Sequence, residues 1–330
     1  MFNNYNDFIN GKIFSTKNIL DLLKENKLNY EILNIKYKPL GKIFIKAINN
    51  NMIFIIKICL DKYSINLAKN EEIGYFEFNK PENNRFNLPK YKMININKDY
   101  ALSQIEYLFG IRGKYFELKK FYNKNYIKEL ETILLKDYIN LIKNRFQFDK
   151  INDDEIKQFN QIRDNFVLKF GSIKIPIDIS HGDFVHFNSI KTSEKNYVFD
   201  LEFFHKIRSY LYDFIHWNLN PIFYQIIKKK INPTIYPVIF FSVIQFLKFK
   251  LKNYHEKLHF DCDSIFEILL TNYLLERYLF LNYQTSIKNI DALLDEKEKS
   301  FVKKNSNLIL KFLIKLNKDK FNLNFFTFKG

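Results

Sequence analysis

The apolar residues of this chain change their period once, and that change limits the folds open to it. Tyr30 to Lys38, Lys42 to Asn49 and Met52 to Leu60 are short runs rich in Ile, Phe and Tyr. They are parted by the turn residues Pro39 to Gly41 and Asn49 to Asn51. Such runs, bounded by turn residues, predict strands, here three in antiparallel succession. Leu67, Glu71, Gly74, Tyr75 and Phe78 then recur at three- to four-residue spacing, which predicts a helix between Ser64 and Asn79. A further strand pair is expected over Tyr91 to Ile96 and Tyr100 to Tyr107. Beyond it Ile127, Leu130, Leu134, Tyr138 and Leu141 form one helical stripe, and nearly every apolar segment after Asp213 is helix-like. The pattern predicts an α+β chain: a small antiparallel-sheet lobe over 1–102, a connection over 103–110, and a larger, mainly helical lobe over 111–330.

Composition removes several classes. A chain of 330 residues, 47% hydrophobic and 27% charged, has the make-up of a folded protein. Its two cysteines, Cys59 and Cys262, lie far apart, which excludes a disulfide framework or a four-cysteine zinc site and suits a reducing compartment. The first residues lack the basic and apolar regions of a secretory signal, so a cytoplasmic location is expected. The most apolar stretch, Tyr236 to Leu247, contains Ser242 and Gln245 and falls short of the roughly 20 residues a membrane span needs; it is expected to be a buried helix. The formal charge is +16, but the lysines are spread along the chain. That spacing describes a solvated surface, and no nucleic-acid partner is expected. The basic apolar tail, Asn307 to Leu316, suits weak association with a membrane surface or, as the preferred reading, docking on the helical lobe. Oligomeric state has no signature in the sequence.

The chemistry concentrates between His181 and Asp200. Ser189 to Lys191 and Tyr197 to Phe199 flank a polar turn and can pair as a hairpin, which brings Asn188 and Asp200 together at its open end. An amide oxygen beside a carboxylate suits Mg²⁺, which binds oxygen ligands and substrate phosphates. Asp183, on the preceding loop, can approach the same point as a hydrogen-bond acceptor.

His181-x-Asp183-x-x-x-x-Asn188 followed by Asp200 resembles the catalytic and metal-binding segment of the aminoglycoside phosphotransferase/choline kinase superfamily. The octet His181 to Asn188 is similar, more narrowly, to a form found in bacterial members associated with cell-surface polysaccharide genes, with His186 in place of Pro and Phe187 in place of Trp. The resemblance implies a two-lobed protein-kinase-like fold. It implies Asp183 as catalytic base in the loop 181–188, with Asn188 and Asp200 as ligands of Mg²⁺ or Mn²⁺. Phe54 to Ile58 resembles the strand whose lysine, here Lys57, holds the donor phosphates and is fixed by a helix glutamate. Glu71 is preferred to Glu72 for that partner because it lies on the inward stripe. Gln104, Glu106 and Leu108 fall in a segment similar to the hinge that binds adenine through its backbone. His181, Glu202 and Asp213 are assigned supporting roles; for Glu202, bracing the loop and assisting the metal stay equally open. Tyr37 to Lys42, the nucleotide loop, carries one glycine where protein kinases carry three.

The reaction implied is transfer of a phosphoryl group from ATP or GTP to a hydroxyl of a small molecule, a sugar or an amino alcohol, in cell-envelope polysaccharide metabolism. Between Asp200 and Tyr212 there is little room for the activation segment of protein kinases, which disfavours a protein substrate. Lysines outnumber acids after Asp213, which disfavours a polycationic aminoglycoside. Two other readings stand beside this one. One is a kinase-fold regulator that binds nucleotide without transferring phosphate. The other is a zinc metallohydrolase using His255 and His259 of the literal His255-Glu-x-x-His259 pattern, with Glu276 as the nearest third ligand.

Overall fold

The computed structural model describes residues 8–9, 12–13, 15–38, 41–112, 129–146, 153–228, 235–252, 265–286 and 296–318. The chain forms two compact units, one of Met1–Tyr126 with His181–His205, the other of Ile127–Ser180 with Lys206–Gly330.

The first unit opens with a two-residue hairpin, β1 (Phe8–Ile9) and β2 (Lys12–Ile13), then helix α1 (Thr16–Glu25). No expectation covered α1. Its start is fixed by a capping box in which Ser15 Oγ accepts from Asn18 N–H and Asn18 Oδ1 accepts from Ser15 N–H. Strands β3 (Glu31–Lys38), β4 (Lys42–Asn49), β5 (Met52–Cys59), β6 (Tyr91–Ile96) and β7 (Ala101–Glu106) form one antiparallel sheet in the order β3-β4-β5-β7-β6. All five lie where the sequence predicts. Asn50 and Asn51 adopt left-handed φ of 48° and 61°, the conformation a two-residue hairpin turn demands and asparagine tolerates. On one face Ile43, Ile45, Ala47, Ile56, Ile58 and Leu102 pack against Ile19, Leu22 and Leu23 of α1. Each Ile or Leu among them, fully buried, contributes about 1.5–3 kcal/mol. The alternation of the strands leaves Lys42, Phe44, Lys46, Ile55, Lys57, Ser103 and Ile105 on the other face.

Helix α2 (Lys62–Phe78), capped by Asp61, lies on that second face. Its Gly74 is a close-approach position: a Cβ there would stand 2.9 Å from Cβ of both Leu201 and Phe204. Asn70 Nδ2 donates to the backbone carbonyls of Glu202 (2.6 Å) and Phe204 (2.9 Å), so α2 holds the segment after Asp200 by packing and by hydrogen bonds. The unit is completed by a small sheet in the order β12-β11-β8, with β8 at Ile111–Arg112, β11 at Ser189–Lys191 and β12 at Asn196–Val198. A Cβ on Gly110 would fall 2.2 Å from the Lys191 carbonyl oxygen, so β8 reaches β11 only because residue 110 has no side chain.

The second unit carries strands β9 (Glu131–Leu134), β10 (Lys174–Ser180) and β13 (His205–Ser209). Around them stand helices α3 (Leu135–Arg145), α4 (Asp153–Phe170), α5 (Tyr212–Lys228), α6 (Tyr236–Lys252), α7 (Phe266–Ser286) and α8 (Glu296–Lys318). One expectation is corrected here. The stripe from Ile127 to Leu141 is not one helix, because Glu131 to Leu134 pair antiparallel with Ile177 to Lys174 and α3 begins only at Leu135. Ile127 itself lies outside the described residues. Helix α6 is buried on one side only, through Phe240, Val243, Ile244 and Leu247, while Val238 and Phe249 are exposed. The tail is the core of α8: Leu308, Ile309, Phe312, Leu313 and Leu316 are buried, and Phe312 stacks on Phe240 at 4.2 Å. Among the described residues no helix is long and apolar enough to cross a membrane.

Candidate active site

Lys57 sits mid-strand in β5, flanked in register by Phe44 and Ser103, and is 1% exposed. A buried ammonium is tolerated only with partners. Lys57 Nζ donates to Glu71 Oε2 (2.8 Å) and Glu202 Oε1 (2.6 Å), and Asp200 Oδ1 stands 3.7 Å away. Glu71, and not Glu72, is thus the helix partner. The other oxygen of Glu202 accepts from Lys42 Nζ. Burial alone would depress the Lys57 pKa, but Glu202, Glu71 and Asp200 overcome it and raise it well above the usual lysine value. Glu202 is pulled down to about 2, since Lys57 and Lys42 outweigh its burial. Burial pushes Glu71 up to about 7 against the pull of Lys57. Asp200 is also raised, by burial and by Glu202. Once Glu71 is ionised, three carboxylates against two ammoniums leave one negative charge in excess, and Asp200, with 39% of its side chain exposed, is where a cation can reach it.

The loop from His181 to Asn188 leaves the end of β10. Gly182 has φ of 86°, which favours glycine, and the turn carries Asp183 past the buried His181 ring. His181 Nε2 lies 2.9 Å from the Phe199 carbonyl oxygen, and Asp183 N–H donates to its Nδ1 at 3.4 Å, so Nε2 carries the hydrogen. His181 therefore ties the loop to the residue before Asp200. The ring of Phe184 packs on His181 at 5.6 Å and on Phe86 at 5.0 Å.

The hairpin forms as expected, with Ser189 opposite Val198 and Lys191 opposite Asn196. It extends by one bond, Phe199 N–H to the Asn188 carbonyl (3.1 Å), which puts Phe199 opposite Asn188 and Asp200 one residue beyond. Asp200 takes a left-handed φ of 68°, leaving the strand direction at that residue. Asn188 Nδ2 donates to the Asp183 carbonyl (2.9 Å) and lies 3.4 Å from Asp183 Oδ2. With its NH₂ so engaged, Asn188 has its amide oxygen left as acceptor. The Asn188 amide oxygen and the exposed Asp200 carboxylate are oxygen donors of the kind that Mg²⁺ takes.

Lys57, Glu71 and Asp200 line a cavity of about 720 Å³ that also takes in Phe44, Ile55 and Ile105. Glu106 and Leu108 of the expected hinge line it; Gln104 does not. Gln104 points to the α1 face of the sheet, where its Oε1 accepts from Tyr30 Oη. In the second unit Ser180 Oγ donates to Asp213 Oδ1 (2.8 Å) at the end of β10, one residue before His181, so Asp213 holds the root of the loop. Phe187 is 70% exposed.

The zinc reading loses its third ligand. Glu276 is fully buried and engaged by Tyr138 Oη (2.7 Å), Arg208 Nε (2.7 Å) and Arg145 Nη1 (3.0 Å). His255 and His259 lie outside the described residues. Lys42 and its bond to Glu202 have no counterpart in the sequence expectations. Lys42 follows Gly41 in the loop, but nothing in the pattern points from it to a carboxylate 160 positions away.

No protein-family model matches the sequence, and no curated protein matches it. Solved structures do. The aminoglycoside phosphotransferase APH(4)-Ia aligns over 89% of this chain and 97% of its own, with a TM-score of 0.52 at 11% identity. A thermostable mutant of that protein, in ternary complex with AMP-PNP and hygromycin B, aligns over 90% and 98%, again with a TM-score of 0.52 and 11% identity. The chain has the α+β, two-lobed kinase-like fold of these phosphotransferases, as its motif implies.

Proposed function

We propose that this kinase-like chain transfers the terminal phosphoryl group of ATP or GTP to a hydroxyl of a small molecule. The observation that carries the reading is the placing of Lys57 between Glu71 and Asp200 in one cavity, with Asn188 and Asp183 reached from Asp200 through a single hairpin. That the same fold holds AMP-PNP and hygromycin B together in a structural relative supports it.

Each residue then has a task. Lys57, oriented by Glu71 and Glu202, directs a remaining N–H at the donor phosphates. Asn188 Oδ1 and the Asp200 carboxylate would hold Mg²⁺, which supplies neutralising charge for the phosphates when bound. Asp183 accepts the proton of the acceptor hydroxyl as its oxygen attacks the terminal phosphorus. The bond from that phosphorus to the bridging oxygen breaks, and the products are a nucleoside diphosphate and a phosphate monoester. The Asn188 amide beside Asp183 keeps the carboxylate in place while this happens. Glu106 and Leu108 at the cavity wall offer their backbone to the base. The acceptor is a sugar or an amino alcohol, and the lysine excess after Asp213 favours a sugar-like alcohol over a polycationic aminoglycoside.

The test is thermal stabilisation by ATP or GTP with Mg²⁺, followed by a screen of sugars and amino alcohols for nucleotide consumption. A ligand at a hundred times its Kd stabilises by about 2.7 kcal/mol, well above detection. Absence of any shift with either nucleotide at millimolar concentration overturns the reading.

A further inference from the structure

The nucleotide loop has one glycine, where a glycine-rich loop wraps a phosphate in backbone amides. We propose that a side chain takes over that work: Lys42 is a second phosphate-binding cation of the donor site, and Glu202 is the residue that positions it. The proposal rests on the phosphotransferase reading and adds to it a residue and a role.

Position comes from β4. Lys42, Phe44 and Lys46 share the cavity face of that strand, and four residues at about 3.4 Å each separate Lys42 from Lys46 by about 14 Å. The ammonium of Lys46 lies 4.0 Å from the centre of the Tyr107 ring, beside Glu106 and Leu108, so it marks the base end of the cavity. Lys42 is therefore at the opposite end of the strand. Phe44, between them, is in register with Lys57. Lys42 is not itself a lining residue, but one carboxylate joins it to Lys57, which is.

Hydrogen-bonding capacity favours Lys42 over Lys57 as the stronger phosphate donor. An ammonium has three N–H groups. Two on Lys57 go to Glu71 and Glu202, which leaves one. One on Lys42 goes to Glu202, which leaves two. The side chain of Lys42 is 11% exposed, so these two are set beside a low-dielectric site and not in bulk water, where such bonds would be weak. Glu202, 5% exposed and engaged through both oxygens, fixes the two ammoniums relative to each other. On this proposal Glu202 is a brace, and it braces the lysines.

The experiment measures binding of ATP with Mg²⁺ and of adenosine to the full chain by calorimetry, in wild type, Lys42→Met, Lys42→Gln and Lys42→Arg. Gln keeps a hydrogen bond to Glu202 and guards against loss of folding in the Met variant. Expected are a weakening of ATP by about tenfold or more in Met and Gln, adenosine within twofold of wild type, and recovery of most ATP affinity in Arg. Glu202→Gln should weaken ATP as well, and adding it to Lys42→Met should cost less than the two losses combined, because part of the glutamate's effect runs through Lys42 and the rest through Lys57. ATP affinity within twofold of wild type in Lys42→Gln overturns the proposal and leaves the phosphotransferase reading standing. Equal weakening of ATP and adenosine also overturns it, since that is the mark of a structural salt bridge. Wild type that binds neither ATP nor GTP overturns both.

Discussion

Each unit buries an ion cluster, and the two are built on opposite principles. In the second unit Glu276 has both oxygens engaged, by Tyr138 and Arg208 at 2.7 Å and by Arg145 at 3.0 Å. The network closes on the backbone, because Tyr138 Oη also accepts from Ser209 N–H and Arg145 Nη2 donates to the Ile207 carbonyl. The guanidinium of Arg208 lies 3.9 Å over the Tyr212 ring. In the first unit Lys57 faces three carboxylates, one oxygen of Glu71 has no partner among the described residues, and Asp200 is open to solvent. The carboxylate of one cluster is saturated, and the other cluster retains an unpartnered carboxylate oxygen and donor capacity. A saturated buried network fixes a fold, whereas an unsaturated one costs stability and is retained where a ligand completes it.

The comparison breaks most sharply at Asp183. Asp183→Asn keeps the shape of the loop and its contact with Asn188 but removes the base, so turnover should fall by about 10²- to 10⁴-fold. Nucleotide affinity and melting temperature should stay near wild type. A variant that melts well below wild type would show that Asp183 belongs to the framework.

Glu276→Ala is the mirror image. Buried Arg208 and half-buried Arg145 lose their carboxylate, and breaking a buried pair from one side costs about 3–5 kcal/mol. Urea unfolding should report that loss, while the folded protein binds ATP with Mg²⁺ within twofold of wild type. A loss under 1 kcal/mol would mean that the second cluster is no more structural than the first.

How much of this contrast is visible in the sequence depends on the distance over which each contact forms. The strands from Tyr30 to Leu60 are legible because runs rich in Ile, Phe and Tyr and the Asn50-Asn51 turn are local signals. So is the hairpin between Asn188 and Asp200, since it needs only its own two arms. Strand β9 is not. Its partner β10 lies about forty residues on, and without it Leu130, Leu134 and Tyr138 look like a helix. Helix α1 is short, and its signal is a serine cap that the strands beside it overshadow. Least legible are the ion pairs: Glu202 is 160 positions from Lys42 and Glu276 is 138 from Tyr138, and a charged residue carries no mark of its distant partner. The motif locates the site, but the charge balance that makes it work is a property of the folded chain.

The smallest effect expected is a change in how stability varies with pH, and it tests the surplus charge directly. Glu202, at about 2 in the fold against a usual 4.5, contributes stability that is fully present above pH 4.5 and lost as pH falls towards 2. Glu71 has the opposite sign. Its folded value of about 7 exceeds 4.5, so the folded chain binds more protons than the unfolded one between those values, and stability falls as pH rises through that window. The two together place the cluster's greatest contribution near pH 4.5. Urea midpoints measured from pH 3 to 8 should therefore show Glu71→Gln falling less than wild type between pH 4.5 and 7, and Glu202→Gln falling less below 4.5. Profiles for Glu71→Gln that run parallel to wild type through the upper window would mean that its carboxylate is balanced within the fold, and that the first cluster is as saturated as the second.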